Sequence, residues 1–346
     1  MRRGLWDFIR DQFTPQRPVV RRHLTGKTVM VLGANTGLGY EAAKHFATMN
    51  PGRLILACRN QSRGQAAVEK LTTATGYTKA ELRIVDLADF SSVRKFADKF
   101  DQGGERLDIL VENAAIYADK YEPTKDGWET AFQVSCLSTP LMALLLLPTM
   151  LKTAREHSTV PRLVVVSSEV HYWASIEKQI RENHAMLKML GSAEYCTPRN
   201  MAFRYLLTKL LNVFFVRALN ARLPPGTPLI VNAVSPGLCR SELTRSMTGV
   251  TAAFDRLISL LFAYSTEVGS RHLVWAALAE EERPDELRGA FIHGSKVLEP
   301  SDFVLSVEGA KTQDRVWDEL IDTLGKVDSR VIATVERHLS PPHNAT

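Results

Sequence analysis

A glycine-rich turn near the start of the chain constrains the fold more than any other feature of the sequence. The apolar run Thr28–Leu32 leads directly into Gly33, Gly37 and Gly39, and a helical pattern begins at Tyr40. A strand, a glycine-rich turn and a helix in this order suit a phosphate, because glycine lets the backbone approach it and the helix N-terminus supplies free N–H groups. The segment therefore predicts a dinucleotide site at the first strand of an α/β fold.

The rest of the chain repeats this alternation of short apolar runs and amphipathic stretches. Strands are predicted at 28–32, 53–57, 81–85, 107–111, 162–166, 229–234 and 289–292. Helices are predicted at 40–48, 64–74, 91–100, 127–153, 199–223 and 266–279. Such alternation is typical of parallel sheets with crossover helices. The predicted fold class is α/β: a single Rossmann-like, doubly wound parallel sheet of about seven strands with helices on both faces.

The segments outside this alternation set the expected boundaries. Residues 1–26 are predicted to be an amphipathic N-terminal tail, 27–325 the dinucleotide-binding domain, and 326–346 a C-terminal tail. The polar stretch 169–198 is interpreted as a long structureless insertion that serves the substrate, because loops of this length are usually functional. The apolar stretch 242–265 is expected to cover the substrate site.

Charge and cysteine content argue against several functions. The net charge of +5 comes from basic residues spread along the chain, so no nucleic-acid partner is expected. The four cysteines lie far apart without metal-ligand spacing, so we expect no metal site and buried thiols in a reducing compartment. The N-terminus lacks the apolar run of a secretory signal, and the longest apolar segment, 141–151, is broken by Pro148. We expect a cytoplasmic protein that does not cross a bilayer and is at most peripheral to a membrane.

Short motifs follow the predicted strands in a fixed order. After the glycine turn come Asp86, Asn113-Ala-Ala, Ser168, Tyr205-x-x-x-Lys209 and Pro236-Gly237. With these motifs in this order, the chain resembles the short-chain dehydrogenase/reductase family from about residue 27 to about residue 280. The stretch 205–212 and the ACRN segment at 57–60 resemble the retinol dehydrogenase and protochlorophyllide reductase branch of that family.

The resemblance implies an oxidoreductase whose catalytic residues are Ser168, Tyr205 and Lys209. A tyrosine hydroxyl has a pKa of about 10 and exchanges protons near neutral pH only if its anion is stabilised. Lys209 lies one helical turn after Tyr205, where its ammonium is expected to lower the pKa of the tyrosine and to hold ribose hydroxyls. Ser168 ends the fifth predicted strand and is expected to hydrogen-bond the substrate oxygen, with Ser167 as the neighbouring alternative.

The end of the second predicted strand favours NADP(H) as the cofactor. NAD enzymes carry an acidic residue there, whereas this chain has Arg59, which suits a 2′-phosphate unless it is only a solvated surface side chain. The full cofactor set that the resemblance implies is Gly33, Asn35, Thr36, Gly37, Leu38, Gly39, Arg59, Asp86, Leu87, Asn113, Tyr205, Lys209, Pro236, Gly237, Leu238 and Ser241. Within it, Asp86 and Leu87 are expected beside the adenine, and Leu238 and Ser241 at the carboxamide.

The chain departs from the family pattern at two positions. Glu112 stands where the family's Asn-Asn-Ala-Gly motif begins, and Ser135 replaces the helix asparagine that helps to hold a proton-relay water near the lysine. Either the serine hydroxyl holds a water or the relay takes another route, and the sequence leaves both open. His171 and His184 lie in the insertion, within possible reach of a substrate, but surface positions are the favoured interpretation.

The sequence thus predicts an NADP(H)-dependent oxidoreductase that interconverts a carbonyl and an alcohol on a small lipophilic substrate. Two alternatives stay open: an NADPH-dependent carbon–carbon double-bond reductase, and a catalytically idle NADP(H)-binding protein that recognises partners. A homodimer is compatible with the sequence. The apolar side chains within residues 1–20 are expected to dock on the catalytic domain, with a membrane surface as the alternative. These side chains are Leu5, Trp6, Phe8, Ile9 and Phe13.

Overall fold

A single eight-stranded sheet organises the part of the chain that the structure, a computed structural model, describes, namely residues 4–240, 262–280 and 283–342. The strands are β1 (Thr28–Leu32), β2 (Arg53–Cys58), β3 (Ala80–Ile84), β4 (Ile109–Glu112), β5 (Arg162–Val166), β6 (Ile230–Ser235), β7 (Phe291–His293) and β8 (Lys296–Leu298). Their order is β3-β2-β1-β4-β5-β6-β7-β8, and every neighbouring pair is parallel except β7 and β8. The sheet is therefore doubly wound, with its change of direction between β1 and β4.

Helices connect the strands and cover both faces of the sheet. They are α1 (Leu5–Phe13), α2 (Gly37–Ala47), α3 (Gln61–Thr75), α4 (Phe90–Gln102), α5 (Thr130–Phe132), α6 (Thr139–His157), α7 (Lys178–Arg181), α8 (Met186–Leu190), α9 (Pro198–Met201), α10 (Arg204–Arg222), α11 (Thr266–Leu278), α12 (Asp302–Leu305), α13 (Val307–Val327) and α14 (Arg330–His338). A π-helical turn, Gln133–Ser138, joins α5 to α6, and 3-10 turns cover Glu169–Trp173 and Pro284–Leu287.

The alternation of side chains along β1 produces two buried faces. Met30 and Leu32 point into one core cluster, which contains side chains from α4, α6 and α10. Val29 and Val31 point into the other, which contains side chains from α2, α3 and α11. Because helices cover both faces, every residue of β1 is buried, and the strand reads as a continuous apolar run.

The sheet has one strand more than the seven or so predicted, and the additional strand is β8. Gly294 and Ser295 both have positive φ and form the two-residue turn of a hairpin between β7 and β8. A strand of three residues is too short to show the alternation that identifies strands in a sequence.

The stretch 169–198 is folded, so the prediction of a structureless insertion was wrong. It contains a 3-10 turn and the short helices α7 and α8, and it buries Ile180, Met186, Leu187 and Leu190 in the core. Polar residues interrupt these apolar positions too often for a helical period to emerge from the sequence. The helix predicted at 199–223 is likewise divided into α9 and α10.

The helix predicted at 127–153 begins at Thr130 and ends at His157. In length and mean hydropathy, 1.8 over its most apolar window, it meets the requirements of a membrane-spanning helix, but 94% of that window is buried inside the protein. It is therefore the central core helix on one face of the sheet.

The C-terminal residues 330–338 belong to the folded domain instead of a tail. They form α14, which packs against α6 and α13 and buries Val331 and Thr334. The boundary predicted at residue 326 falls inside α13, because an amphipathic helix at the end of a chain resembles an appended segment when its packing partner is unknown.

Candidate active site

The carboxyl ends of β1, β2, β4 and β5 border a cleft of about 500 Å³, a volume within the usual range for small-molecule sites. It lies where the winding of the sheet changes direction. The predicted cofactor residues that line it are Gly33, Asn35, Thr36, Gly37, Leu38, Arg59, Asp86, Leu87, Asn113, Tyr205, Lys209 and Pro236. Gly39, Gly237 and Leu238 do not line the cleft, and Ser241 lies outside the described residues.

The glycine turn has the shape that a dinucleotide pyrophosphate requires. Gly33 and Gly37 have φ of 72° and 61°, a region that disfavours other residues. A Cβ atom at Gly39 would lie 2.4 Å from the Gly33 carbonyl oxygen and 2.5 Å from Asn113 Nδ2. Gly39 thus lets α2 pack closely on the turn, and the Asn113 amide donates to Gly33 O at 3.2 Å. The turn and the start of α2 fit a nicotinamide dinucleotide.

Two arginines border the end of the cleft beyond β2. Arg59 directly follows β2, and Arg63 lies in the first turn of α3, which Asn60 caps through the Arg63 N–H. Both guanidinium groups belong to exposed residues that line the cleft. The sequence analysis identified Arg59 but missed Arg63. Arg63 lies four residues later, in the first turn of a helix, and this spacing already indicated that both side chains could border the same end of the cleft.

The two adjacent serines after β5 have different roles. Ser167 is buried, and its hydroxyl donates to the backbone carbonyl of Lys209 at 2.8 Å. Ser168 begins the 3-10 turn, and its hydroxyl is hydrogen-bonded with Tyr205. Of the two candidates, Ser168 therefore has its hydroxyl beside the tyrosine, and Ser167 joins β5 to α10.

Tyr205 lies in the first turn of α10, with its side chain on the wall of the cleft. Burial raises the pKa of Tyr205 to about 12, while the hydrogen bond with Ser168 acts in the opposite direction. The sequence predicted a pKa lowered by Lys209. In the structure, desolvation of the phenol is the larger effect, because a buried phenolate loses its hydration.

Lys209 is 2% exposed, and its ammonium donates to the Val166 carbonyl at 2.8 Å. Its Nζ lies 5.4 Å from the centre of the Tyr205 ring. Burial lowers the pKa of Lys209 to about 8, because the charged form loses hydration. The amine and the phenol thus face the same cleft, one helical turn apart.

Comparison with known proteins assigns this chain to a protein family. The family profile described as short chain dehydrogenase matches residues 27–176. The short chain dehydrogenase/reductase dmxR8 of Cryptosporiopsis sp. is 33% identical over 323 residues, which cover 92% of this chain and 97% of that protein. The chain belongs to the short-chain dehydrogenase/reductase family.

Further similarities support this membership. Mouse (Mus musculus) retinol dehydrogenase 12 is 33% identical over 302 residues, with 87% of each protein covered. Among solved structures, an uncharacterized protein from Mycobacterium paratuberculosis superposes with a TM-score of 0.63 at 27% identity, over 88% of this chain and 96% of that chain. Members of the family are oxidoreductases that bind a nicotinamide cofactor, and the resemblance to the retinol dehydrogenase branch seen in the motifs is confirmed.

In this short-chain dehydrogenase/reductase, the two residues that depart from the family pattern, Glu112 and Ser135, are both buried. Glu112 ends β4, and burial raises the pKa of its carboxyl well above the ordinary value, so the neutral acid is favoured. Ser135 lies in the π-helical turn, and its hydroxyl has no hydrogen-bond partner among the described residues.

The two histidines of the 169–198 stretch differ in environment. His171 is completely buried, with its Nδ1 2.8 Å from Ser168 O and its Nε2 accepting from the Ser301 N–H at 3.2 Å. The surface interpretation was therefore wrong for His171, which ties the turn after Ser168 to the segment before α12. His184 is exposed, as predicted.

The segment after β6 meets the N-terminal helix. Pro236 lines the cleft, and Gly237 has φ of 75°. With its amide turned so that both ends find partners, Gln12 of α1 accepts from the Leu238 N–H at 3.2 Å and donates to Phe262 O at 3.1 Å. The sequence did not reveal this contact, because nothing in the pattern of residues 1–26 indicates where the helix docks.

Tyr117 is a second neighbour of Tyr205 that sequence reasoning missed. Its ring lies 6.4 Å from the Tyr205 ring, and it lines the cleft with Ile116 and Val134. It follows the Asn113-Ala-Ala motif by two residues, so a search of the loop beyond that motif would have found it.

Proposed function

We propose that this family member is an NADP(H)-dependent oxidoreductase that interconverts a carbonyl and an alcohol on a small lipophilic molecule. The observation that carries the proposal is that the side chains of Ser168, Tyr205 and Lys209 lie close together beside the cleft at the carboxyl edge of the sheet. These three groups supply a hydrogen-bond donor, a proton carrier and a buried cation at one place.

Tyr205 is the proposed acid and base. Towards alcohol, its hydroxyl donates a proton to the substrate oxygen, and towards carbonyl it takes that proton back. Ser168 donates a hydrogen bond to the same oxygen and so stabilises the charge that develops there. The buried Lys209 ammonium stabilises the negative charge of the tyrosinate that remains after Tyr205 has donated its proton.

The bound nicotinamide supplies or accepts the hydride. Its pyrophosphate is proposed to lie on Gly33, Gly37 and the start of α2, where the backbone is free of side chains. Arg59 and Arg63 support the choice of NADP(H), because two guanidinium groups at the far end of the cleft suit a 2′-phosphate.

The lining of the cleft and a relative support a lipophilic substrate. Near Tyr205 the cleft is walled by Ile116, Tyr117 and Val134. The name of retinol dehydrogenase 12 denotes an apolar alcohol as the substrate of that protein. The predicted apolar cover at 242–265 lies outside the described residues except for 262–265.

Replacement of Tyr205 by phenylalanine tests the proposal. Purified protein is incubated with NADPH and a panel of apolar ketones, aldehydes and enones, and the products are identified by mass spectrometry. We expect turnover in the wild type, a loss of at least about 100-fold in Tyr205→Phe, and nearly unchanged NADPH affinity. Saturated ketones as products of the enones would instead assign carbon–carbon double-bond reduction.

Tyr77→Phe is the matched control, because Tyr77 is also buried but donates to Pro51 O at 3.0 Å, away from the cleft. It should retain wild-type turnover. Near-normal kcat in Tyr205→Phe would contradict the proposed role of the hydroxyl.

A further inference from the structure

The segment that follows β6, residues 236–240, is called the β6 loop and lies at the Tyr205 end of the cleft. Pro236 lines the cleft, and Cys239 lies near the phenol of Tyr205, since it adds to the rise in the pKa of that group that burial mainly causes. Arg59 borders the other end, because it follows β2, which β1, β4 and β5 separate from β6. With the 2′-phosphate at Arg59, the nicotinamide has to lie beside Tyr205 and the β6 loop, since hydride and proton go to adjacent atoms of one substrate.

Gln12 on α1 binds the backbone of the β6 loop directly. Its side chain is 6% exposed, accepts from the Leu238 N–H at 3.2 Å and donates to Phe262 O at 3.1 Å. In the reverse orientation the amide nitrogen would face a donor and the amide oxygen an acceptor, so this orientation is assigned. A Cβ atom at Gly237 would lie 3.3 Å from the Gln12 amide. The glutamine therefore packs on the loop as well as bonding to it.

Tyr264 provides a second link between the β6 loop and the N-terminal segment. Its N–H donates to Leu238 O at 2.9 Å, and its carbonyl accepts from the Arg240 N–H at 2.9 Å. Its hydroxyl donates to Asp11 O and accepts from the Gln16 amide at 2.7 Å. The N-terminal segment thus reaches the loop twice, once directly and once through Tyr264.

These contacts order a short loop that contains a glycine with positive φ. Gly237 has φ of 75°, and a glycine backbone has more conformations open to it than that of any other residue. A loop that is fixed before the cofactor arrives loses less conformational entropy on binding, so the cofactor binds more tightly. Gln12 precedes residues 27–176, which the family profile matches, so the family pattern does not assign it this task.

We propose that Gln12 is a positioning residue that fixes the β6 loop and thereby prepares the nicotinamide end of the cofactor site. It acts on the cofactor through the backbone of the loop. The proposal rests on the proposed function for the choice of NADP(H) and for Tyr205 as the place of hydride transfer.

The test separates the two halves of the cofactor. Adenosine 2′,5′-bisphosphate carries the adenosine and its 2′-phosphate but no nicotinamide, so it occupies the Arg59 end of the cleft alone. Calorimetric titrations of the full chain with NADPH and with this fragment compare the wild type with Gln12→Met, which keeps the length of the side chain but forms neither hydrogen bond. NADPH affinity should fall about 5-fold in Gln12→Met, while affinity for the fragment should change by less than about 2-fold.

Hydrogen exchange followed by mass spectrometry examines the loop itself, without cofactor. Peptides that contain Leu238 should exchange at least about 3-fold faster in Gln12→Met than in the wild type. Gln102→Met is the matched control, because Gln102 is exposed at the end of α4 and does not line the cleft. It should alter neither exchange in the β6 loop nor affinity. If Gln12→Met does not fold, Gln12→Ala is measured in the same way.

Equal losses of affinity for NADPH and for the fragment would overturn the proposal, because they would show that Gln12 serves the fold as a whole. Unchanged exchange in the β6 loop, or unchanged NADPH affinity, in a folded Gln12 variant would overturn it as well. A protein that binds NADH in preference to NADPH is titrated with NADH and 5′-ADP, and the same selective loss is expected. Failure of the proposed function is a separate outcome, because it appears in the turnover of Tyr205→Phe and leaves the exchange and binding measurements intact.

Discussion

Tyr205 and Lys209 carry opposite charges when ionised, and burial acts against both. It raises the pKa of the phenol to about 12 and lowers the pKa of the amine to about 8. Each shift favours the neutral form, because each ion loses hydration in the core. Near pH 7 the amine still holds its proton, so the site carries one buried positive charge.

This charge predicts a specific dependence of stability on pH. The pKa of Lys209 is 10.5 when unperturbed and about 8 in the folded protein. Between these values the unfolded state binds more protons, so stability rises with pH in this window. At pH 7 the buried ammonium costs on the order of 3 kcal/mol. Lys209→Met should therefore be more stable than the wild type at pH 7, by up to about that amount.

Urea unfolding of both proteins from pH 7 to 10 measures the effect. The advantage of Lys209→Met should shrink steadily as the pH approaches 10, while other titrating groups cancel in the comparison. A difference that does not change with pH would show that Lys209 titrates normally in the folded protein.

Arg59 carries the second prediction at the residue scale. Arg59→Ala should weaken NADPH binding by about 10- to 100-fold with little change for NADH, because it removes a charge-assisted contact worth about 1.5–3 kcal/mol. Fluorescence titration with both cofactors measures the preference. Arg199→Ala, at an exposed position that does not line the cleft, is the control. An unchanged preference for NADPH in Arg59→Ala would refute the role.

At the scale of elements, the start of α10 is held by a buried ion pair. Arg204 and Glu129 are 1% and 0% exposed, and their Nε and Oε2 atoms lie 3.2 Å apart. The Glu129 carboxylate also accepts from the Ala131 and Phe132 N–H groups, so it caps the helix that leads into the π-helical turn. The pair thus joins the start of α10, where Tyr205 follows Arg204, to the residue that caps α5.

Glu129→Gln should destabilise the protein by about 3 kcal/mol or more, because it leaves the Arg204 charge buried without its counterion. Turnover should fall with it, since Tyr205 directly follows Arg204. Urea unfolding at pH 7 measures the first effect. Glu156→Gln, in the exposed pair with Lys152, is the control and should change stability by less than about 0.5 kcal/mol. Equal effects of the two substitutions would contradict a structural role for the buried pair.

At the scale of the whole molecule, α1 contacts residues that lie at or after the carboxyl ends of β5 and β7. The Phe8 ring lies 6.0 Å from that of Trp173, and the Asp11 carboxylate lies 3.2 Å from His293 Nε2. The Tyr264 hydroxyl donates to Asp11 O, and Gln16 joins Tyr264 to His272. The N-terminal segment therefore docks on the domain, although Trp6 remains 83% exposed.

Removal of this segment should weaken the domain without altering membrane binding. Protein that starts at Arg21 should melt at least about 2 °C lower than the full chain, and neither should sediment with anionic liposomes. Within the full chain, Phe8→Ala should lower the melting temperature and Trp6→Ala should not. Strong sedimentation of the full chain alone, with equal melting temperatures, would show that the segment is a membrane anchor.

Local patterns in the sequence were sufficient for the order of the seven parallel strands and of the main helices between them, for the glycine turn and for the Tyr205–Lys209 pair. Each depends on residues a few positions apart, and periods of two and about 3.6 residues are visible in the sequence itself. The family motifs placed the cleft for the same reason, because the ends of parallel strands meet at one edge.

The tertiary structure alone decided which serine faces Tyr205, that His171 is buried, and that the pKa of Tyr205 rises. All three depend on which distant segments pack against a side chain. Burial and hydrogen-bond partners are properties of the folded assembly, since desolvation and unsatisfied carbonyls arise only when elements far apart in the chain exclude water together.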